Sequence, residues 1–196
     1  MLSCNGITLN YAVILYDKSK SKIQIVKEIA EELPIAPVVS YFLCDSWYTS
    51  SKVMDSFIRK GFYTIGALKT NRILYPWGIR QKASLFALHL RKTDPGVSLV
   101  TVGGRQFYVY RYEGELNGIP NATVIISYPK DAFGNPKALR LFLSTDVSLS
   151  TLEILETYIK RWPIELFFRQ SKSKLALDKY QLRSRQGIQR LSLIHI

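Results

Sequence analysis

An α/β fold is the class this sequence predicts, and three observations carry that prediction. Apolar strand-like runs alternate with helical patterns over the first 70 residues, the order that builds a parallel βαβ sheet. Short alternating runs separated by glycine turns follow to about residue 147. A final helical segment then carries Tyr158, Arg161, Glu165 and Lys172 at fixed spacing.

Each element has a local reason. Residues 8–16 (TLNYAVILY) read as a strand. From Ser21 to Leu33, the apolar set Ile23, Val26, Ile29, Ala30 and Leu33 has helical spacing, and Pro34 ends it. After Pro37, VVSYFLC is a continuous apolar run, expected of a strand buried on both faces. Asp45 follows at the carboxyl end of that strand, where ligands of parallel sheets bind. Thr49 or Ser50 can cap a helix running through Lys60, with Gly61 placed to stop it. FYTIGAL reads as the next strand. NRILYPWGIRQK is basic and aromatic, and KASLFALHL is ambiguous between strand and helix. VSLVTV, RQFYVYRYEG, ATVIISY and ALRLFLS read as short strands joined at Gly103-Gly104, Asn117-Gly118 and Gly134-Asn135-Pro136. Ser150 and Glu153 have capping-box spacing and open a helix whose apolar side holds Leu152, Leu155 and Ile159. Pro163 should kink that helix just before Glu165.

Composition narrows the partners. A net charge of +12 and a pI of about 9.7 favour an anionic partner, nucleic acid first. A membrane surface is disfavoured, because no apolar run nears the 18 or so residues of a spanning helix and no basic amphipathic anchor is visible. The opening MLSCNGITLNYAVILY makes a poor signal peptide, having no Lys or Arg before its apolar part. Cys4 and Cys44 form no metal-type spacing and point to a reducing compartment. With only His89 and His195 available, a metal would be a hard cation held by carboxylates.

On a continuous helix, Tyr158, Arg161, Glu165 and Lys172 would fall at about 0°, 300°, 340° and 320°, one narrow face. One carboxylate among two cations and a phenol suits a divalent metal beside a phosphate backbone. An ordinary solvated charge face would look similar.

The stretch YIKRWPIELFFRQSKSKL resembles the Tyr-Arg-Glu-Lys signature of insertion-sequence DDE transposases. LYDKSKSKI, YFLCDSWYTSSKVMD and GALKTNR resemble other core segments of that family, in the expected order, so the likeness runs from about Leu9 to Arg190. The resemblance implies a ribonuclease-H-like α/β core with a β-rich insertion between the second Asp and the Glu. It divides the chain into a first part of the core (1–70), the insertion (71–147), the signature helix with a basic C-terminal segment (148–190) and a truncated or artefactual tail, LSLIHI (191–196).

The family's site needs two Asp and one Glu, which hold two Mg²⁺ or Mn²⁺ ions for in-line phosphoryl transfer. By resemblance Asp45 is the second Asp and Glu165 the Glu, 165 − 45 = 120 residues apart. The first Asp should lie on an earlier strand, yet only Asp17 precedes Asp45, and it reads as a turn residue. The core is therefore expected to be incomplete, lacking its first strand. The implied partner is DNA, at element ends and target, with pairing of two copies on DNA left open. No membrane is involved, and the setting is the bacterial cytoplasm, associated with the nucleoid.

Arg161 and Lys172 would contact phosphate, and Tyr158 would position DNA or support Glu165. Lys69, Arg72, Arg80 and Lys82, with Tyr75 and Trp77, could grip DNA or form a solvated loop. Trp162 is either a core residue or a stacking platform for a distorted DNA end. Over 150–196, 9 basic residues face 4 acidic ones, a net of +5. The rival function is a catalytically inactive remnant that binds DNA or dimerises.

Overall fold

The computed structural model describes residues 1–173 apart from Asn5, Asn10, Val13, Leu15, Asp17 and Asn117; the side chains of Ser171 and Lys172 also lie outside it. The chain divides into two units, one spanning Val26–Ile159 and one drawn from Met1–Ile25 and the residues from Lys160 onward.

In the second of these, strands β1 (Leu2–Cys4) and β2 (Ile7–Leu9) pair antiparallel across Gly6, whose φ of 80° costs glycine little. The strand expected over 8–16 thus ends at Leu9. A strand persists only while its backbone groups find a ladder, and Leu2–Cys4 offers three partners. Helix α1 (Lys22–Glu32), whose residues from Val26 onward belong to the larger unit, starts where predicted, with the Ser21 hydroxyl accepting the Gln24 N–H at 3.1 Å.

The larger unit is built on one eight-stranded sheet. β3 (Ser40–Cys44) runs into helix α2 (Ser51–Ile58) and then β4 (Phe62–Leu68), which lies parallel to β3 with Cys44 opposite Gly66. β3 is not buried on both faces: among the described residues it ends the sheet, and Val38 and Val39 just before it are exposed. Ser50 takes the N-cap position of α2 with extended backbone, but its hydroxyl makes no cap bond. Lys60 ties this βαβ unit to α1 by donating to the carbonyls of Glu31 at 2.7 Å and Leu33 at 2.8 Å.

Beyond β4 come β5 (Ile73–Leu74), β6 (Gln81–Lys82) and helix α3 (Ala83–His89). Ala83, Phe86 and Ala87 are buried at i, i+3 and i+4, which settles the ambiguous KASLFALHL segment as helix. β7 (Val97–Val102), β8 (Arg105–Leu116) and β9 (Ile119–Pro129) form an antiparallel meander, and β10 (Arg140–Ser144) fits between β9 and β4. The parallel sheet expected of the first 70 residues thus keeps only β3 and β4, because Ile7–Leu9 pairs with β1 instead. The tight turns at Gly103-Gly104 and Gly118 reverse the chain, so β3–β4 is the only parallel pair among the described strands.

β9 sits centrally and is buried from Ala122 through Tyr128. Its period-2 alternation divides the core. Ala122, Val124, Ile126 and Tyr128 pack with Phe86 and Ala87 of α3 and Met54 of α2. Ile125 faces the other way, with Ile65, Val109 and the helix α4 (Thr151–Ile159) residues Ile154 and Leu155. Both faces of the sheet are thus covered by helices. Helix α5 (Trp162–Ser173) belongs to the other unit, and among the described residues no helix is long and apolar enough to cross a membrane.

Candidate functional site

The loop after β3 places Asp45. Its Oδ1 accepts the Trp47 N–H at 2.8 Å, and its carbonyl accepts the Tyr48 N–H at 3.2 Å, a tight turn that leaves the residue exposed at the strand's carboxyl end. The neighbouring Tyr48 phenol is pushed up, first by burial and then by the negative charge of Asp45. Arg72 holds the loop from beneath, its guanidinium donating to the Thr49 carbonyl. Gly66 makes room for it: a Cβ there would stand 2.6 Å from Thr49 Cγ2 and 2.8 Å from Cys44 Sγ.

A cleft of about 780 Å³ opens beside this loop. Ser46, Lys69, Asn71, Arg140 and Tyr158 line it, over a floor that includes Phe142. Tyr158 is fixed by its ring, 4.8 Å from that of Phe142 at 57°. Lys69 Nζ lies 5.0 Å from the centroid of the exposed Trp47 ring. Arg140 donates to the carbonyls of Leu139 at 2.8 Å and Lys137 at 3.1 Å, which sets its guanidinium at the cleft. Two cations and no carboxylate among the lining residues suit an anionic ligand such as phosphate.

The structure therefore brings Tyr158, Lys69 and the residue after Asp45 to one cleft. Arg140 joins them in the wall and Trp47 stands beside it against Lys69, although sequence reading singled out neither. Arg140 was hidden as the outward residue of an alternating strand, and Trp47 as one aromatic in a turn. Arg72 is half-buried and bonded to backbone, a position that supports the Asp45 loop.

The segment carrying Tyr158, Arg161, Glu165 and Lys172 is not one continuous helix. α4 stops at Ile159, and α5 begins at Trp162 with Pro163 in its first turn, where a missing N–H costs nothing. Pro163 thus starts a new helix instead of kinking an old one, and a single helical projection of the four residues does not apply. In the unit containing α5, Arg161 and Glu165 form an ion pair, with Glu165 in the first turn, where the helix dipole favours a carboxylate. Trp162 is about half exposed (52%). Asp17 and the side chain of Lys172 lie outside the described residues, as do Lys174, Lys179, Arg183, Arg185 and Arg190.

The hard oxygen donors of Asp45 and Glu165 suit a divalent cation in kind. Among the described residues, no three His, Cys, Asp or Glu side chains gather into one cluster. Asp146, the buried carboxylate of the larger unit, is committed to structure. Its Oδ1 accepts from the N–H and hydroxyl of Ser148, and its Oδ2 accepts from the Tyr41 phenol at 3.0 Å. Burial, then that bond to Asp146, pushes the Tyr41 phenol up to about 12.

A family model described as the transposase DDE domain matches residues 4–196. Among curated proteins, none matches the chain.

Proposed function

The chain belongs to the transposase DDE-domain family, and from that premise we propose that it is the catalytic domain of an insertion-sequence transposase of the Tyr-Arg-Glu-Lys branch. Members of the family act on DNA and use divalent metal ions. The reaction proposed is metal-dependent strand cleavage at the element's ends, followed by their transfer to a target. The observation that carries this reading is the cationic cleft beside the Asp45 loop, with Tyr158 of the signature in its wall.

Asp45 and Glu165 would be the metal ligands. The bound ions, Mg²⁺ or Mn²⁺, would supply charge neutralisation at the phosphate and a more acidic bound water or 3′-hydroxyl. Lys69 and Arg140 hold phosphate oxygens at the cleft, Arg72 keeps the Asp45 loop in place, and Tyr158 orients the strand. Arg161 positions Glu165 through their ion pair, and Lys172, about two turns further along the helix from Glu165, adds a phosphate contact. The ribonuclease-H-like core, the reading of 71–147 as an insertion within it, pairing of two copies on DNA and a place at the nucleoid belong to the same proposal.

A second reading is favoured by one observation, that the two assigned carboxylates supply two negative charges against the four positive charges of two divalent ions. In that reading the chain binds DNA, or pairs with itself, without cutting. An Mn²⁺-dependent cleavage assay on element-end DNA separates the two. Cleavage abolished by Glu165→Gln supports the enzyme; tight DNA binding without cleavage supports the binding module.

A further inference from the structure

The tip between β5 and β6 holds a conformational outlier. Trp77 has φ 53° and ψ 31°, left-handed backbone that a bulky side chain rarely adopts. Its surroundings enforce it. The Gly78 N–H donates to the Tyr75 carbonyl at 3.0 Å, the Ile79 N–H donates to the Pro76 carbonyl at 3.0 Å, and the Tyr75 N–H is held by the Tyr112 hydroxyl at 3.2 Å. The indole edge rests on buried Phe86, with ring centroids 5.6 Å apart at 67°, yet the residue is 78% exposed. An unstrained glycine would serve a simple turn. Strain kept at a rigid, anchored and open-faced aromatic marks a surface that contacts something.

Charge identifies the partner. A second, smaller hollow lined by Lys69, Asn71, Arg72 and Ile73 shares Lys69 and Asn71 with the cleft. From there Lys82 and Arg80, both exposed, carry the cationic path along the hairpin to the tip. Cations that follow a backbone and end at an open aromatic face are the pattern of single-strand binding.

Resting on the proposed function, we infer that Trp77 stacks an unpaired DNA base, on a hairpin that leads a single strand away from the cleft. The test is fluorescence anisotropy with a labelled single-stranded oligonucleotide and a blunt duplex, using wild-type, W77A, W77F and W77G chains. W77A should weaken single-strand binding by about tenfold, and W77F should keep most of it. Duplex affinity should change by less than about twofold, with an unaltered salt slope, because no phosphate contact is lost. W77G should bind the single strand as poorly as W77A while melting no lower than wild type, since glycine accepts this φ without strain.

Wild-type chain that binds both probes, with W77A equal to it on the single strand, overturns the inference and leaves the DNA reading standing. So does an equal loss on both probes, or a W77A chain that changes only its oligomeric state. Wild-type chain that binds neither probe overturns both.

Discussion

Gly66 shows how one residue ties the sheet to the site. It stands opposite Cys44 in the parallel pair, and buried Thr49 fills the space above it. Gly66→Ala would push a methyl group against both neighbours, and Thr49, whose carbonyl is held by Arg72, has nowhere to go. Overpacking of this kind costs about 1–3 kcal/mol. Urea denaturation of Gly66→Ala should show that loss, while a chain as stable as wild type would mean that the Asp45 loop is softer than its contacts suggest. At the same scale, Lys172→Ala should make the salt dependence of DNA binding shallower by about one unit of slope. Titrations at several salt concentrations check it, and an unchanged slope would remove Lys172 from the phosphate contacts. Asp45 stood out in the sequence because it followed an apolar run, and Gly66 did not, because its role depends on a strand 22 residues away in the chain (66 − 44 = 22).

Among elements, α4 has the best-defined start. The Glu153 N–H donates to the Ser150 hydroxyl at 3.2 Å, and the Ser150 N–H donates to Glu153 Oε2 at 2.8 Å, the reciprocal pair that the Ser-x-x-Glu spacing predicts. Those bonds hold the Glu153 carboxyl below its ordinary 4.5. A carboxyl lowered in the folded state stabilises above its unfolded value, and that stabilisation is lost as pH falls through the lower, folded one. Ser150→Ala should cost about 1 kcal/mol at neutral pH. The gap from wild type should narrow in acid, and urea midpoints at neutral pH and below the carboxylate range test this; a gap that widens in acid would contradict it.

Local chemistry of this kind was legible, as were β7 to β10, whose alternation and glycine turns need only neighbours in sequence. The break between α4 and α5 was not. Pro163 allows either a kink or a first-turn position, and only the chain's path chooses between them. The 8–16 strand and the two-sided burial of β3 failed for a related reason: apolar runs show what a segment prefers, while ladder partners decide what it becomes.

Across the whole molecule, the net charge of +12 and the family match over residues 4–196 agree on DNA as the partner. Wild-type binding should tolerate sequence and lose affinity with salt at about −0.9 in log–log slope per phosphate neutralised. A slope near zero in anisotropy titrations would argue against a backbone-led interface. Of the candidate site, the sequence pointed to the proposed carboxylates and to the four-residue spacing but not to the cleft. Arg140 reaches it only through the antiparallel return of β10, and Trp47 meets the cleft's Lys69 only through the turn after β3. The joint metal site of Asp45 and Glu165 is the central proposal, and Mn²⁺ affinity read by electron paramagnetic resonance on the DNA-bound chain tests it most directly. Wild type, Asp45→Asn, Glu165→Gln and the double variant form a cycle. If both carboxylates hold the same ions, each single change weakens Mn²⁺ binding by about tenfold or more, and the double change adds little to either. Losses that simply add, or Mn²⁺ binding that neither substitution alters, would contradict a shared metal site.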